Sequence, residues 1–217
     1  MLLLDSGPGT FANLCKWSDP SLLDAVVLSH EHPDHWTDLE SLGTWAGFGP
    51  GRSRFRDRVD GALPVYAPPG LRKWSHLDRA DWIDWRELAP SAVVEIGNIE
   101  ARFVATDHGP PTLAVGLCHE GATLAYSADS GPDWSVEELG PDIGTFLCEA
   151  TYTREDEGPL KHLSGHEAGT MARAAGVGRL ILTHRWPTVS ADALRHEAEV
   201  AFGRPADQAS VGAVFDW

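Results

Sequence analysis

Three histidines and one aspartate lie within the seven residues Ser29–His35, and they constrain the fold more than any other segment. Residues 24–29 form a mostly apolar, partly β-branched run without glycine or proline, which predicts a short buried strand. On an extended strand end, His30 and His32 point to the same side, because side chains alternate with a period of two. Pro33 then ends the strand, and the turn after it can carry the aspartate and the third histidine to a second point nearby. This spacing predicts a site for divalent metal ions, with a histidine-rich surface turn as the alternative.

Length and charge limit the class of protein. At 217 residues and 42% hydrophobic, the chain fits one domain over residues 1–217 with a substantial core. It contains 17 Lys and Arg against 32 Asp and Glu, which gives a formal net charge of -15. Such an acidic surface is a poor platform for long nucleic acid, whose binding depends on neutralising phosphates. A small anionic substrate is still compatible with this charge, since bound metal ions reverse the field inside a pocket.

The cysteines and the apolar runs indicate a cytoplasmic protein. Cys15, Cys118 and Cys148 are scattered, odd in number and outside any CxxC pairing, which favours reduced thiols over a disulfide scaffold. Cys148 lies in an apolar run and is predicted to pack in the core. The sequence shows no signal-like segment at its start and no apolar stretch long enough to cross a bilayer, so we expect no membrane association.

Short apolar runs alternate with helical stretches, and some of the runs pair as hairpins. Predicted strands cover residues 2–4, 25–28, 63–66, 92–96, 101–106, 113–117, 122–126, 145–147, 180–182 and 213–215. Predicted helices cover residues 34–45, 70–77 and 192–201, with a short one ending near 17, and residues 49–61 are predicted to be a loop. Ser164 and Glu167 form a capping box for a further helix that Gly176 ends. The mixture predicts an α/β protein of the αββα (α+β) sandwich type, with mixed sheets and helices on the outer faces.

Further strands also end in candidate metal ligands. The runs before His108, Asp129 and His184 are apolar, as is the run before the first histidine cluster. Open α/β sheets place their sites at the carboxyl ends of strands. We therefore expect these three residues to complete the metal site.

Several motifs together resemble one known family. The matching segments are Leu3–Gly9, Ser29–His35, His108–Pro110, Tyr126–Asp129, Cys148–Tyr152, His162–Glu167 and Ile181–His184. The chain resembles the metallo-β-lactamase superfamily of hydrolases over essentially its whole length. Within that superfamily it is similar to the ribonuclease Z-like branch and to the small bacterial phosphodiesterases of that branch. The resemblance implies the αββα metallo-β-lactamase fold.

The resemblance also implies two divalent metal ions, expected to be Zn²⁺, with Mn²⁺ or iron as alternatives. The ligands that it implies are His30, His32 and His108 for one ion, Asp34, His35 and His184 for the other, and Asp129 bridging the two together with a water or hydroxide. Asp34 is also predicted to be a catalytic residue. Asp5 looks like a carboxylate that orients ligand histidines. Two such ions would acidify a shared water at neutral pH and neutralise charge on the attacked oxygens.

A histidine–carboxylate pair is the remaining catalytic hypothesis. His166 and Glu149 match positions that form such a pair in the ribonuclease Z-like branch. His166 opens a capped helix, so it could bind a phosphate oxygen or protonate the leaving alkoxide, with Glu149 holding its tautomer. The alternative is a surface histidine near a helix cap. His162 is open between a loop histidine and a substrate contact.

The sequence departs from the family in two places. Relatives carry two further strands before residues 2–5, and their loss would expose a sheet edge, so we expect weak stability or a compensating homodimer. No arm of the kind that binds transfer RNA fits between His108 and Asp129. The basic segment Arg52–Arg58 either folds over the site as an anion-steering lid or is a solvated loop neutralised by Asp57 and Asp60.

These observations predict a metal-dependent hydrolase with a binuclear centre. The leading hypothesis is a phosphodiesterase acting on a small phosphodiester, such as a cyclic nucleotide. The alternatives are a ribonuclease Z-type endonuclease that processes transfer RNA 3′ ends, a hydrolase of carboxylic esters, lactones or thioesters, and a metal-binding module without turnover. Trp36, Trp45 and Trp186 lie close to ligands in the sequence and either stack a nucleobase or pack against the protein.

Overall fold

Two sheets, each with its own hydrophobic core, organise the chain. The computed structural model describes residues 1–58, 61–158 and 160–217, and its contacts separate a first unit, Met1–Ala89, from a second unit, Pro90–Trp217. The single domain expected over residues 1–217 remains a prediction.

The first unit is built on a parallel sheet. Its strands, in the order β1-β2-β3-β4, are β1 (Leu2–Leu4), β2 (Ala25–Val27), β3 (Leu63–Ala67) and β4 (Ile83–Glu87). Parallel strands need long crossover connections, which helices supply here. These are α1 (Thr10–Trp17), α2 (Pro33–Trp36), α3 (Leu39–Phe48) and α4 (Arg52–Arg58). β2 is buried along its whole length, as its continuous apolar sequence requires, and it packs in one cluster with Leu39, Leu42 and Phe55.

The second unit is built on a seven-stranded mixed sheet. Its strands are β5 (Val93–Ile96), β6 (Ile99–Ala105), β7 (Leu113–His119), β8 (Ala122–Tyr126), β9 (Thr145–Glu149), β10 (Arg179–Thr183) and β11 (Asp207–Gln208), and the spatial order is β11-β10-β9-β8-β7-β6-β5. The strands from β5 to β8 pair antiparallel as hairpins, whereas β8 to β11 run parallel. The carboxyl ends of β8, β9 and β10 therefore meet at one edge of the sheet.

Two helices of the second unit pack backbone against backbone. They are α5 (Gly165–Ala174) and α6 (Ala191–Phe202). The predicted capping box is present, with Ser164 and Glu167 each bonding the other's backbone N–H. A Cβ atom at Gly165 or Gly169 would lie 2.4 Å from a backbone oxygen of α6, so glycine is required for this close approach.

The structure corrects several predicted elements. Segment Arg52–Arg58 is the helix α4 and not a loop, because arginine favours helix and the run contains no glycine or proline; Asp60 lies outside the described residues. β4 was not predicted, since its charged residues Asp84 and Arg86 mask the strand pattern at a sheet edge. The predicted helix over residues 34–45 is two helices, α2 and α3. The last strand lies at residues 207–208, where it pairs with β10, and not at 213–215.

No helix within the described residues has both the length and the apolar character that a membrane span requires.

Candidate metal centre

The loop after β2 brings three imidazole rings together in the first unit. The ring centroid of His30 lies 4.7 Å from that of His32 and 4.2 Å from that of His35. His30 and His35 are buried, whereas His32 is half-buried and Asp34 is exposed. The structure thus clusters the histidines of the segment Ser29–His35.

Asp5 holds this histidine cluster in position. Its Oδ2 atom lies 2.7 Å from Nδ1 of His35 and accepts the Ser29 hydroxyl at 2.8 Å, while its Oδ1 accepts the Ser29 backbone N–H at 2.7 Å. The Ser29 hydroxyl in turn lies 3.0 Å from Nδ1 of His30. With Nδ1 of both rings engaged in this network, Nε2 is the atom through which each could bind a metal. These bonds are the ones that the predicted orienting role of Asp5 requires.

Gly7 lets the turn after β1 pass directly against the backbone of Asp34. A Cβ atom at Gly7 would lie 1.8 Å from the carbonyl oxygen of Asp34. We expect Gly7→Ala to displace the histidine loop and to lower the free energy of unfolding by about 1–3 kcal/mol, the usual cost of overpacking. Urea denaturation would measure the change. Gly109→Ala is the matched control, since nothing lies within 4 Å of its added Cβ. Equal unfolding midpoints for the two variants would contradict the prediction.

Tryptophans near this cluster pack against the protein. Trp36 is buried, and its indole N–H donates to the carbonyl oxygen of Glu31 at 3.0 Å. Trp45 packs between the rings of Phe11 and Phe55, with centroid distances of 6.3 and 5.7 Å. These contacts favour packing over base stacking for both. Trp186, in the second unit, is exposed, so a stacking role for it stays a prediction.

In the second unit, Asp129 is buried among three imidazoles. Its Oδ1 lies 3.3 Å from Nε2 of His184, and its Oδ2 lies 3.7 Å from Nε2 of His108 and 4.0 Å from Nδ1 of His162. The backbone leading to this side chain is held by Thr106, whose hydroxyl donates to the Asp129 carbonyl at 2.7 Å. The structure thus places Asp129 together with the predicted ligands His108 and His184.

Glu149 pairs with His162 and not with the predicted His166. Its Oε1 lies 2.9 Å from Nδ1 of His162 and accepts the backbone N–H of Ser130 at 2.8 Å. Its Oε2 accepts the Thr151 hydroxyl at 2.7 Å and the backbone N–H of Leu163 at 3.2 Å. Both oxygens of this fully buried carboxylate are therefore occupied, which fixes the ring of His162.

His166, at the start of α5, forms no hydrogen bond with Glu149. It is the second residue of that helix, whereas His162 lies in the loop before it, which runs beside the end of β9. Among the described residues, the ring of His166 forms no hydrogen bond with any other group. The predicted pairing of His166 with Glu149 is therefore wrong, whereas a catalytic role for His166 stays a prediction. The nearby helix cap was the stronger local signal, and the pairing with Glu149 is a tertiary contact.

Thr151 and Lys161 orient the remaining histidines of the second unit, and neither role was predicted. The Thr151 hydroxyl lies 2.9 Å from Nδ1 of His184 while it donates to Glu149, so one chain of bonds links two histidines. The carbonyl oxygen of Lys161 lies 3.0 Å from Nδ1 of His108. The ammonium group of Lys161 binds Asp107, and this hydrogen bond raises the pKa of Lys161.

Backbone conformation aims several of these side chains. Asp5, Ala128 and His184 follow strand ends and have φ values of 57°, 51° and 60°, in the left-handed region that non-glycine residues seldom adopt. Such strain persists where the surrounding structure imposes it, and it is frequent at functional sites.

Cys148 is a packing residue, as predicted. Burial raises the pKa of its thiol well above the ordinary value, which keeps the thiol protonated.

The donor atoms in each unit fit a divalent transition metal. In the second unit, Asp129, Glu149, His162 and His184 each offer one ligand atom within 4.8 Å of the others. Because the hydrogen bonds of Glu149 already occupy both its oxygens, we regard it as an orienting group rather than a ligand. In the first unit, the rings of His30, His32 and His35 offer three imidazoles. Imidazole nitrogen with carboxylate oxygen suits zinc, manganese or iron better than calcium or magnesium.

Comparison with known proteins defines the class. The family model for the β-lactamase superfamily domain matches residues 1–185. The Mycobacterium tuberculosis protein Rv1339 is 36% identical over 222 residues, which cover 94% of this chain and 77% of the relative. The chain therefore belongs to the β-lactamase superfamily and is a metallo-hydrolase of the metallo-β-lactamase fold.

Two further relatives narrow the position within the superfamily. The Bacillus subtilis protein named probable metallo-hydrolase YhfI is 28% identical over 217 residues, covering 99% of this chain and 87% of the relative. The crystal structure of YhfI superimposes with a TM-score of 0.86 at 26% identity, over 99% of this chain and 86% of that one. A ribonuclease Z of Mycolicibacterium paratuberculosis is 28% identical over 204 residues, covering 78% of this chain and 69% of the relative. The predicted likeness to ribonuclease Z is thus confirmed.

Proposed function

We propose that this metallo-hydrolase is a phosphodiesterase that cleaves small phosphodiesters, such as cyclic nucleotides. It would use two divalent metal ions, for which zinc is the expected metal. The observation that carries the proposal is the His162–Glu149 pair beside Asp129 in the second unit. A histidine fixed by a buried carboxylate next to a metal ligand suits the transfer of a proton to a leaving oxygen.

Each residue of the proposed centre has a stated role. Following the family pattern, one ion would be held by His30, His32 and His108. The other ion would be held by Asp34, His35 and His184, and Asp129 would bind both ions. When bound, the ions would supply a nucleophilic water and neutralise charge on the phosphoryl oxygens. Asp5, Thr151 and the backbone carbonyl of Lys161 each hold the Nδ1 atom of one proposed ligand histidine. The Nε2 atoms of these rings would therefore bind the metals.

The proton donor is His162. Its Nδ1 faces Glu149 at 2.9 Å, so the Nδ1 proton is held by the carboxylate and Nε2 is the atom that can carry a proton to the substrate. Cleavage of a P–O bond leaves an alkoxide, a poor leaving group that needs such a proton. This role replaces the one that the sequence assigned to His166.

Charge and topology favour a small substrate. The net charge of -15 opposes binding of a long polyanion. Only the hairpin of β7 and β8 joins His108 to Asp129, so this connection contains no inserted arm that could bind a folded RNA. A relative is named ribonuclease Z, and cleavage of a precursor transfer RNA is therefore the rival outcome of the test.

The first test is turnover by metal-loaded protein. We expect metal-dependent hydrolysis of bis-p-nitrophenyl phosphate and of 3′,5′-cyclic AMP, with loss of activity after chelation and recovery when zinc or manganese is restored. Elemental analysis would establish that the assayed protein carries metal. A precursor transfer RNA, a lactone and a thioester complete the panel. Full metal occupancy without phosphodiester turnover would refute the proposal, and activity confined to the RNA or to carboxylic esters would replace it with one of its rivals.

A homodimer is a further part of the proposal. β1 is the outer strand of the described sheet in the first unit, and an outer strand presents backbone groups that a second copy could pair with.

A further inference from the structure

A cleft of about 270 Å³ lies beside α5 in the second unit. Its walls include Pro132, Trp134, Leu163, His166, Thr170 and Met171. Leu163 directly follows the proposed proton donor His162, and Pro132 lies three residues after Asp129. Two lining residues of the cleft are therefore close in sequence to the proposed reactive residues of this unit.

The walls of the cleft combine flat apolar surface with unused hydrogen-bonding groups. Pro132, Met171 and Ala174 supply the apolar surface. The indole N–H of Trp134 is buried and finds no acceptor within the described residues, although nearly all buried polar groups in folded proteins have a partner. The His166 ring, as noted above, also forms no hydrogen bond within the described part of the chain. The cleft is thus lined by one buried and one half-buried side chain whose ring nitrogens have no hydrogen-bond partner among the described residues.

This chemistry is unsuited to a phosphate and suited to a planar heteroaromatic ring. No lysine or arginine is among the described residues that line the cleft, and Glu167 adds a carboxylate to its rim. A nucleobase has apolar faces that pack on proline, methionine and alanine, and ring nitrogens that accept hydrogen bonds at its edge. The volume lies just below the range of about 300–1,000 Å³ that whole ligands occupy. It suits one ring system rather than a complete nucleotide.

We propose that the α5 cleft binds the nucleobase of a nucleotide phosphodiester, with Trp134 and His166 at its polar edge. This inference rests on the proposed phosphodiesterase function, since it names the organic part of the same substrate. The base would occupy the cleft while the phosphodiester extends from it towards His162. His166, which the sequence assigned to proton transfer, would instead select the substrate.

The test uses adenosine, which carries no phosphate, so that base binding is measured without catalysis. We expect adenosine at millimolar concentration to shift the indole NMR signal of Trp134, which is identified by its absence in Trp134→Phe. Ribose and inorganic phosphate should leave that signal in place. Ala174→Phe fills the cleft and should weaken adenosine binding by at least about tenfold, as loss of a packed contact does. Ala12→Phe, at an exposed helical alanine of the first unit, is the matched control.

The outcomes separate this proposal from the function on which it rests. Adenosine binding that Ala174→Phe removes would support the base site even if no phosphodiester were cleaved. An unshifted Trp134 signal in protein that does cleave phosphodiesters would overturn the base site and leave the function intact. Should Ala174→Phe fail to fold, His166→Ala serves in its place, because removing the imidazole should also weaken adenosine binding. Equal binding by His166→Ala and the unmodified protein would count against the proposal.

Discussion

Replacing Asp129 by asparagine is expected to reduce kcat/KM for phosphodiesters by about a thousandfold, which corresponds to about 4 kcal/mol of transition-state stabilisation. Asp129 is buried, and its carboxylate faces the Nε2 atoms of His108 and His184. The amide keeps the shape of the side chain but carries no charge to balance two cations. We therefore expect the variant to lose metal as well as activity, and elemental analysis with turnover assays would measure both.

The stability of the Asp129→Asn protein distinguishes a metal ligand from a structural carboxylate. A buried charge without a cation is costly, so the metal-free variant should be as stable as the metal-free native protein, or more stable. Metal binds the folded state and should raise the melting temperature of the native protein but not of the variant. Asp133→Asn is the matched control, because Asp133 is an exposed aspartate four residues further along. A variant that retained metal and activity would exclude Asp129 from the centre.

Local patterns account for what the sequence predicted well. The strand before His30 and the strand before His184 are continuous apolar runs, and their ends locate the histidines without any tertiary information. The capping box at Ser164 is similarly local, since both partners lie within one helical turn. Asp5 was predicted to orient histidines, but the sequence did not predict its contact with His35, thirty positions away.

Tertiary contacts account for what the sequence did not predict. The choice between His162 and His166 depends on which one the loop before α5 brings to Glu149, and the two lie within one short segment. Thr151 carries no signal of its own, because threonine is common in strands and loops and its bond to His184 spans 33 residues. α4 was missed for another reason: its charges resemble those of a solvated loop, and helix propensity alone is a weak guide.

Replacing His162 by alanine is expected to lower kcat for 3′,5′-cyclic AMP by a factor of about 10²–10⁴, the usual contribution of a positioned acid. The loss should be much smaller for bis-p-nitrophenyl phosphate, because p-nitrophenolate departs without a proton. This dependence on the leaving group separates proton donation from a purely structural role. Damage to the fold would lower both rates by a similar factor, and the metal content should stay unchanged because His162 is not a proposed ligand.

Two further histidine variants complete the comparison for His162. His196→Ala is the matched control, since His196 is exposed on α6, and it should leave both rates unaltered. His166→Ala should raise KM for cyclic AMP through the base cleft while kcat is largely retained, because its ring has no bond to Glu149. If His166→Ala lowered kcat with the leaving-group dependence expected of His162, the pairing seen at Glu149 would not be the catalytic one. If His162→Ala lowered kcat equally for both substrates, His162 would instead be a positioning residue. Its ring would then keep Glu149 and Asp129 apart.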